Sequence, residues 1–254
     1  MSPRTKHQIK ALLKRMGFLK GPKLSMVGAL RRAKAAGIAP RTIIDVGVAD
    51  GTFDLYDAFP NSRFLLIEPM AEFEVSLRTI CEQIGGEYIL AAASFEKGHA
   101  VINFGDNLHG ASLSQSDSDS RKIPVITVDD LVKERCAEPP FLLKVDVQGA
   151  EFDVLAGAVK TLSESDMVIL EVPMFDFAGN GITIVETVAR MNDLGFLPYD
   201  IFDGLARPLD GALGQVDIAF VRKTHPMRQN AVWASSEQAK RSRVIHKIRR
   251  ILRV

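Results

Sequence analysis

The chain has 254 residues, of which 46% are hydrophobic and 25% are charged, an ordinary composition for one large globular domain. Cys81 and Cys136 are its two cysteines and form no Cys-x-x-Cys pair, so neither a disulfide framework nor a zinc ribbon is indicated. No apolar run reaches the roughly 18 residues of a spanning helix, and no apolar core follows the basic N-terminus, so we expect a cytoplasmic protein.

The formal net charge of +1 hides an uneven distribution along the chain. Residues 1–34 contain ten Lys or Arg and no acid, and residues 222–254 contain ten and one acid. The middle contains twelve basic residues and thirty acids, so the three parts carry +10, +9 and −18. This pattern predicts two basic ends flanking an acidic body. We expect a basic helical extension over residues 1–40, a catalytic domain over 41–224 and a basic amphipathic helix over 225–254.

The first elements in chain order are two helices. Ile9, Leu12 and Met16 recur at helical spacing among basic residues, which predicts a short amphipathic helix. A second helix is expected over residues 25–36, ended by Gly37. Such a helix before the first strand packs on the sheet edge or covers the cofactor, and we expect the edge packing.

A glycine-spaced turn follows the first predicted strand, Thr42–Val46. Gly47 and Gly51 would let the backbone turn tightly and approach a ligand at the start of the next helix. A turn built for a pyrophosphate favours bare N–H groups, whereas here Asp45 places a carboxylate beside it. The turn therefore favours a ligand with cationic or donor groups, such as the ammonium and sulfonium of S-adenosylmethionine.

Glu68 ends the second predicted strand, 21 residues after Gly47. An acid at this position suits hydrogen bonds to both hydroxyls of a ribose. A helix over 71–84 and a third strand over 88–93 should follow, with Ser94 just beyond the strand end.

Residues 98–128 do not fit strand–helix alternation, because two strand-like runs, 100–104 and 123–128, enclose a long serine-rich loop. Long polar insertions in compact domains are usually functional or disordered. We expect residues 109–114 to lie over the active site and residues 115–120 to be mobile. A short helix should then run from Thr127 to about Arg135.

The fourth predicted strand, 141–146, contains two charged residues. Lys144 and Asp146 are two positions apart and hence on one face, which suggests mutual neutralisation at a ligand site. Gln148 and Glu151 follow on the turn and in the first helical turn, where Glu151 could also serve as an N-terminal helix charge.

The rest of the chain predicts a fifth strand over 167–172, with Glu171 near its carboxyl end. A helix over 180–194 and two last strands, 196–201 and 216–222, should follow, with a loop or hairpin between these strands.

Three segments, 43–53, 64–69 and 141–158, together resemble the FkbM family of S-adenosylmethionine-dependent methyltransferases. The resemblance extends from about Thr42 to Lys223 and implies a Rossmann-like class I α/β fold. This fold has a mostly parallel seven-stranded sheet, here with an inserted β-hairpin and helical terminal extensions. Its last strand lies antiparallel between the sixth and the fifth. Asp50 departs from the asparagine that the family more often has in this turn.

The resemblance also implies roles for single residues. S-adenosylmethionine would be held by a set of turn and strand-end residues: Asp45, Gly47, Asp50, Gly51, Glu68, Ser94 and Asp146. The acceptor would meet residues of the long loop and of the fourth turn: His109, Ser112, Gln148 and Glu151. A general base must take the proton of an attacking hydroxyl, and Asp146, Glu171 and His109 are the candidates, with Asp146 first by position.

The predicted activity is O-methylation of a hydroxyl on a sugar, a glycan or a glycosylated metabolite. A nucleic-acid methyltransferase using the basic ends, or a non-catalytic scaffold that binds S-adenosylmethionine, stays open as an alternative. An enzyme acting on a flipped base would be expected to carry an Asn/Asp-Pro-Pro-aromatic turn where this chain has Asp146-Val147-Gln148-Gly149, so nucleic acid is disfavoured.

Two further questions stay open at this level. The acids at the sheet edge could hold a divalent cation, although the five histidines are scattered and this is not the favoured interpretation. The basic ends could pack on the acidic body or contact an anionic membrane surface, which would make the protein peripheral at the inner face of a membrane. Oligomeric state is not indicated.

Overall fold

The computed structural model describes residues 24–103, 120–240 and 242–244. The chain divides into two compact units, and the larger one spans residues 24–225. The described part of the second unit begins at Pro226 with a short 3-10 turn, Pro226–Arg228. Within the described ranges, no helix combines the length and the apolar character needed to cross a membrane.

The larger unit alternates strands and helices along the chain. Its described α-helices are α1 (Met26–Ala35), α2 (Phe53–Ala58), α3 (Glu74–Ile84), α4 (Val128–Glu134), α5 (Glu151–Ala156), α6 (Val159–Ser163) and α7 (Ile184–Asp193). Its described strands are β1 (Thr42–Val46), β2 (Arg63–Glu68), β3 (Glu87–Leu90), β4 (Ala92–Ala93), β5 (Gly98–Asn103), β6 (Ser120–Ile126), β7 (Phe141–Val145), β8 (Ser165–Pro173), β9 (Phe196–Ala206) and β10 (Leu213–Arg222).

Seven of these strands form the main sheet, in the order β3-β2-β1-β7-β8-β10-β9. The first five run parallel, whereas β10 is antiparallel to both of its neighbours, β8 and β9. Every residue of β1 and β7 is buried, as expected for central parallel strands covered on both faces. The predicted Rossmann-like sheet, with its last strand inserted between the fifth and the sixth, is confirmed.

A second sheet contains three short strands in the order β4-β6-β5. Strands β5 and β6 pair antiparallel, which confirms the inserted hairpin. The third strand predicted over 88–93 is wrong as one element, because the chain turns at Ala91. The amide of Ala91 donates to the carbonyls of both Glu68 and Ile89, and a bond two residues back closes a γ-turn. The chain therefore leaves the main sheet after Leu90, and Ala92–Ala93 joins the small sheet.

Helix α1 packs against the edge strand β9. The guanidinium of Arg32 pairs with the carboxylate of Asp200, and the amide of Met26 donates to Asp203 at 2.9 Å. Ser25 caps the helix by accepting from the Gly28 amide. The expected edge packing is thus observed, and it places this helix within the larger unit.

Other element boundaries differ from the prediction for local reasons. Helix α7 begins at Ile184 rather than at residue 180, because Thr183 and Glu186 form a capping box at its start. The residues before it form a turn in which the Asp176 carboxylate accepts from the amides of Asn180 and Gly181, both at 3.0 Å. Strand β9 extends to Ala206 and strand β10 begins at Leu213, so the two strands and the short segment between them form a hairpin.

Candidate active site

A cavity of about 220 Å³ opens at the carboxyl ends of β1, β2 and β7. Open parallel sheets bind their ligands at this edge. Its described lining residues are Val46, Gly47, Ala49, Ile67, Glu68, Pro69, Met70, Phe73, Ala91, Ala92, Ala93, Asp146, Val147, Gln148, Ala150 and Glu171.

Gly47 lies where the turns after β1 and β7 make their closest approach. Its φ of +79° is in the left-handed region, and a Cβ at this position would lie 1.8 Å from the carbonyl oxygen of Asp146. The Gly47 amide donates to the Ile67 carbonyl at 2.9 Å, and the Asp146 amide donates to the Val46 carbonyl at 3.0 Å. The absence of a side chain at Gly47 therefore lets three strand ends meet around one cavity.

Glu68 lies at the wall of the cavity and holds the adjoining turns. Its carboxylate accepts from the amide of Ala49 at 2.9 Å and from the amide of Met70 at 3.0 Å. Burial raises the pKa of this carboxyl, while the two amide bonds act against that shift. Each carboxylate oxygen has a second lone pair, so Glu68 can still accept from ribose hydroxyls.

Part of the cavity wall is apolar. Ala91, Ala92 and Ala93 line it together with Met70 and Phe73. Small alanine side chains leave a flat surface on which a planar heterocycle can lie. The sequence did not indicate these residues as site residues, because short apolar runs at strand ends are common in any core.

Ser94, predicted to be one of the residues that hold the cofactor, lies one residue beyond this wall and is not among the lining residues. Its amide donates to the Ile126 carbonyl at 2.9 Å. Its own carbonyl oxygen packs against Gly157, where a Cβ would approach it to 2.0 Å. The structure thus gives the Ser94 backbone a packing role between the small sheet and the end of α5.

Asp45 is not among the lining residues of the cavity. It is fully buried, accepts a hydrogen bond of 2.6 Å from the Tyr56 hydroxyl, and lies 3.4 Å from the Lys144 ammonium. Burial and the Asp45 carboxylate together raise the pKa of Tyr56, so its hydroxyl stays a donor. The predicted contact of Asp45 with a cofactor stays a prediction, since the structure gives this carboxylate other partners.

The Lys144 ammonium lies between Asp45 and Asp146, of which Asp146 lines the cavity. Lys144 pairs with Asp45 in the register of β1 and β7, and its ammonium lies 3.3 Å from the Asp146 carboxylate. Burial alone would lower the pKa of Lys144, but the carboxylates of Asp45, Asp146 and Asp217 outweigh burial and raise it. The ammonium therefore stays charged, and the expected neutralisation between Lys144 and Asp146 is observed.

Gln148 connects two acids at the mouth of the cavity. Its side-chain amide donates to Asp146 at 3.3 Å and to Glu171 at 2.8 Å, and its backbone has a φ of +56°. A second amide, that of Gln215 in β10, donates to the other oxygen of Glu171. Burial and the carboxylates of Asp146 and other acids raise the pKa of Glu171 to about 8.

Asp217 lies beside these acids and was not predicted from the sequence as a site residue. It is the cross-strand partner of Glu171 in the pairing of β10 with β8. Burial, together with the nearby Asp146 carboxylate, raises its pKa to about 7, against the effect of Lys144. A charged residue between the buried apolar residues Val216 and Ile218 was the available signal, the same one that drew attention to Lys144.

The remaining predicted residues have different placements. Glu151 is buried and shapes the turn after β7, since its carboxylate accepts from the amides of Gly149 at 3.0 Å and Val147 at 3.4 Å. Gly51 and Asp50 do not line the cavity, and Asp50 is exposed. His109 and Ser112 fall outside the described residues.

The charge of the cavity fits a cationic cofactor. Three acids line it, Glu68, Asp146 and Glu171, and the described lining includes no basic residue. S-adenosylmethionine carries one net positive charge through its ammonium, sulfonium and carboxylate, whereas a dinucleotide would bring the two negative charges of its pyrophosphate. Across the described ranges, no group of three or more His, Cys, Asp or Glu residues is arranged to hold a metal ion.

Comparison with protein families gives a match to the one described as Methyltransferase FkbM domain, over residues 45–198. Comparison with curated protein sequences gives no match.

Solved structures with a similar chain trace include three methyltransferase-type proteins. An rRNA methylase from Streptococcus thermophilus is 10% identical, with 80% of this chain and 98% of that chain covered and a TM-score of 0.45. Fibrillarin from Aeropyrum pernix, with S-adenosyl-L-methionine natively bound, is 16% identical, with 77% and 76% covered and a TM-score of 0.44. The O-methyltransferase from Bacillus cereus, in complex with S-adenosylhomocysteine, is 12% identical, with 87% and 92% covered and a TM-score of 0.41.

Proposed function

The chain belongs to the FkbM methyltransferase domain family and is an S-adenosylmethionine-dependent methyltransferase, and we propose that it methylates a hydroxyl oxygen of a sugar, a glycan or a glycosylated metabolite. The observation that carries this proposal is the acidic junction formed by Glu171, Gln148 and Asp146 at the mouth of the cavity. An alcohol is a weak acid and a poor nucleophile, so its methylation needs a carboxylate that can accept its proton.

The lining residues divide into groups that suit different parts of the cofactor. Glu68 would accept from the ribose hydroxyls, and the alanine wall would face the adenine. The backbone at Gly47 would lie near the methionine part, and Asp146 would attract its ammonium. When bound, S-adenosylmethionine supplies a methyl carbon on a sulfonium: the acceptor oxygen bonds to that carbon, the carbon–sulfur pair goes to sulfur, and the hydroxyl proton leaves to a base.

Glu171 is better suited than Asp146 to be that base. The Asp146 carboxylate already has two partners, the Lys144 ammonium and the side-chain amide of Gln148, both at 3.3 Å. Glu171 has amide donors instead of a cation, and its raised pKa of about 8 lies near a working pH. The sequence favoured Asp146 as the base because of its position. The geometry instead supports a contact of Asp146 with the cofactor, and it supports Glu171 as the base for the acceptor hydroxyl.

Methyl transfer from labelled S-adenosylmethionine tests the proposal. The purified chain is incubated with neutral glycosides, with sugar phosphates and with RNA, and the products are identified by mass spectrometry. We expect methylated glycosides that survive mild alkali, because an ether is stable there and a methyl ester is not. Methylation of RNA without methylation of any glycoside would favour the nucleic-acid alternative instead, and an alkali-labile product would contradict ether formation on a hydroxyl.

We also propose that the protein works in the cytoplasm against an anionic membrane surface. In the second unit, the Trp233 and Val232 side chains are 98% and 72% exposed, beside a segment rich in Lys and Arg. Tryptophan favours the membrane–water interface, and each basic residue near an anionic surface contributes about 1 kcal/mol. Co-sedimentation with anionic and neutral vesicles tests this. Binding to anionic vesicles that weakens with salt and with Trp233→Ser supports the proposal, and equal binding to both vesicle types contradicts it.

A further inference from the structure

A second cavity of about 210 Å³ lies beside the first and shares Gln148 and Glu171 with it. We propose that this second cavity is the acceptor site and that it binds one uncharged sugar ring, an inference that rests on the proposed function.

The outer wall of this cavity is the connection between β8 and α7, which the structure holds in one conformation by local bonds. The Asp176 carboxylate accepts hydrogen bonds from the backbone amides of Asn180 and Gly181, and the Asn180 side chain donates to the Gly149 carbonyl at 3.2 Å. This last bond joins the connection to the turn after β7. The wall is therefore built into the fold and does not depend on a ligand for its shape.

An aromatic side chain is exposed within this wall. The Phe177 side chain is 58% exposed while lining the cavity, and its ring centroid lies 5.7 Å from that of Phe175. The Arg207 guanidinium lies over the Phe175 ring at 4.1 Å and occupies one of its faces, and Phe175 does not line the cavity, whereas the more exposed Phe177 does. An aromatic face is electron-rich and attracts the weakly positive C–H groups on the apolar face of a sugar ring.

The polar groups of the cavity suit hydroxyls that both donate and accept. The side-chain amides of Gln148, Asn180 and Gln215 line it, together with the carboxylates of Glu151 and Glu171. None of its described lining residues is basic. A phosphate or carboxylate on the acceptor would meet two acids without a compensating cation, whereas a neutral polyol can donate to the carboxylates and accept from the amides.

The position of Glu171 connects the two sites. It lines both cavities, so a ring seated against Phe177 would have a hydroxyl beside the same carboxylate that faces the cofactor cavity. Gln148 and Gln215 donate to the two oxygens of Glu171 and fix its orientation at this junction.

Binding measured by saturation-transfer NMR tests the inference on the full chain saturated with S-adenosylhomocysteine. The probes are three neutral methyl glycosides, of glucose, mannose and rhamnose, with glucosamine as a cationic ring and glucose 6-phosphate as an anionic ring. We expect at least one neutral glycoside to bind and Phe177→Ala to weaken it at least about 10-fold, or 1.4 kcal/mol. Phe95→Ala is the matched control, because Phe95 is 55% exposed and lines neither cavity.

Each other outcome has a distinct meaning. Binding of glucosamine alone, stronger binding of glucose 6-phosphate, or no glycoside binding overturns the inference. An equal loss in Phe177→Ala and Phe95→Ala, or no loss in either, also overturns it. Calorimetry with S-adenosylhomocysteine separates this failure from a wider one: if the cofactor product binds and the glycosides do not, only the acceptor inference fails, whereas absence of cofactor binding removes the proposed function itself.

Discussion

Replacement of Gly47 by alanine is the sharpest test of how the cofactor cavity is built. The backbone at Gly47 has a φ of +79°, and an added Cβ would lie 1.8 Å from the Asp146 carbonyl oxygen and 2.8 Å from its carbon. The left-handed conformation costs a residue with a Cβ about 1–2 kcal/mol. Relief of an overpacked contact by backbone movement costs about 1–3 kcal/mol more. We therefore expect Gly47→Ala to lower the free energy of unfolding by about 2–5 kcal/mol.

The same substitution should weaken the binding of S-adenosylhomocysteine, the cofactor product, at least about tenfold, since the turn must move away from Asp146 at the cavity wall. Urea unfolding measures the stability, and calorimetry with S-adenosylhomocysteine measures the affinity. Gly85→Ala is the matched control: its φ is +69°, but nothing lies within 4 Å of the added Cβ, so it keeps the conformational strain without the clash. If both variants lose the same stability and neither loses affinity, the close approach at Gly47 does not shape the site.

Further predictions concern the acids and the lysine of the site. Glu68→Gln should weaken the binding of S-adenosylhomocysteine by about 1.5–3 kcal/mol, and unchanged affinity in calorimetry would rule out the ribose contact. Methyl transfer should rise with pH through about 8 as Glu171 loses its proton. Glu171→Gln should reduce turnover by about 10²–10⁴-fold, and a larger loss in Asp146→Asn would make Asp146 the base. Since Glu171 and Asp217 have folded pKa values of about 8 and about 7, above their ordinary 4.5 and 3.8, both stabilise the fold at low pH. The unfolded groups lose their protons at about 4 to 4.5, so this stability is lost progressively from there up to pH 7 to 8. The melting temperature should therefore fall over this range in the wild type and fall less in Glu171→Gln. Lys144→Met should lower the free energy of unfolding by about 3–5 kcal/mol, because it leaves buried carboxylates without their cation, and a loss under 1 kcal/mol in urea unfolding would contradict this.

Local patterns in the sequence were enough to predict the framework of the site. The turn after β1, the acid at the end of β2 and the turn after β7 each mark the carboxyl end of a strand whose residues are mostly apolar. Parallel strands bring their carboxyl ends to one edge, so residues distant in sequence could be assigned to one site without knowledge of side-chain positions. Gly47, Glu68 and Asp146 line the same cavity for this reason.

The tertiary structure decided which of the acids face that cavity. Asp45 comes from a strand buried on both faces, where no alternation of polar and apolar residues shows which way a side chain points. Only the packing of Tyr56 on one side and of Lys144 on the neighbouring strand shows that Asp45 contacts these two residues and does not line the cavity.

The position of Asp217 beside the site is also evident only from the tertiary structure. Asp217 lies beside Glu171 because β10 inserts antiparallel next to β8, a pairing between segments 46 residues apart. The sequence by itself determined the fold class, through its motifs and the family they resemble, and the edge of the sheet at which the cavity opens, because strand-end turns are local properties. The grouping of these acids, and the second cavity beside them, depend on long-range strand pairing and side-chain packing, which no local pattern contains.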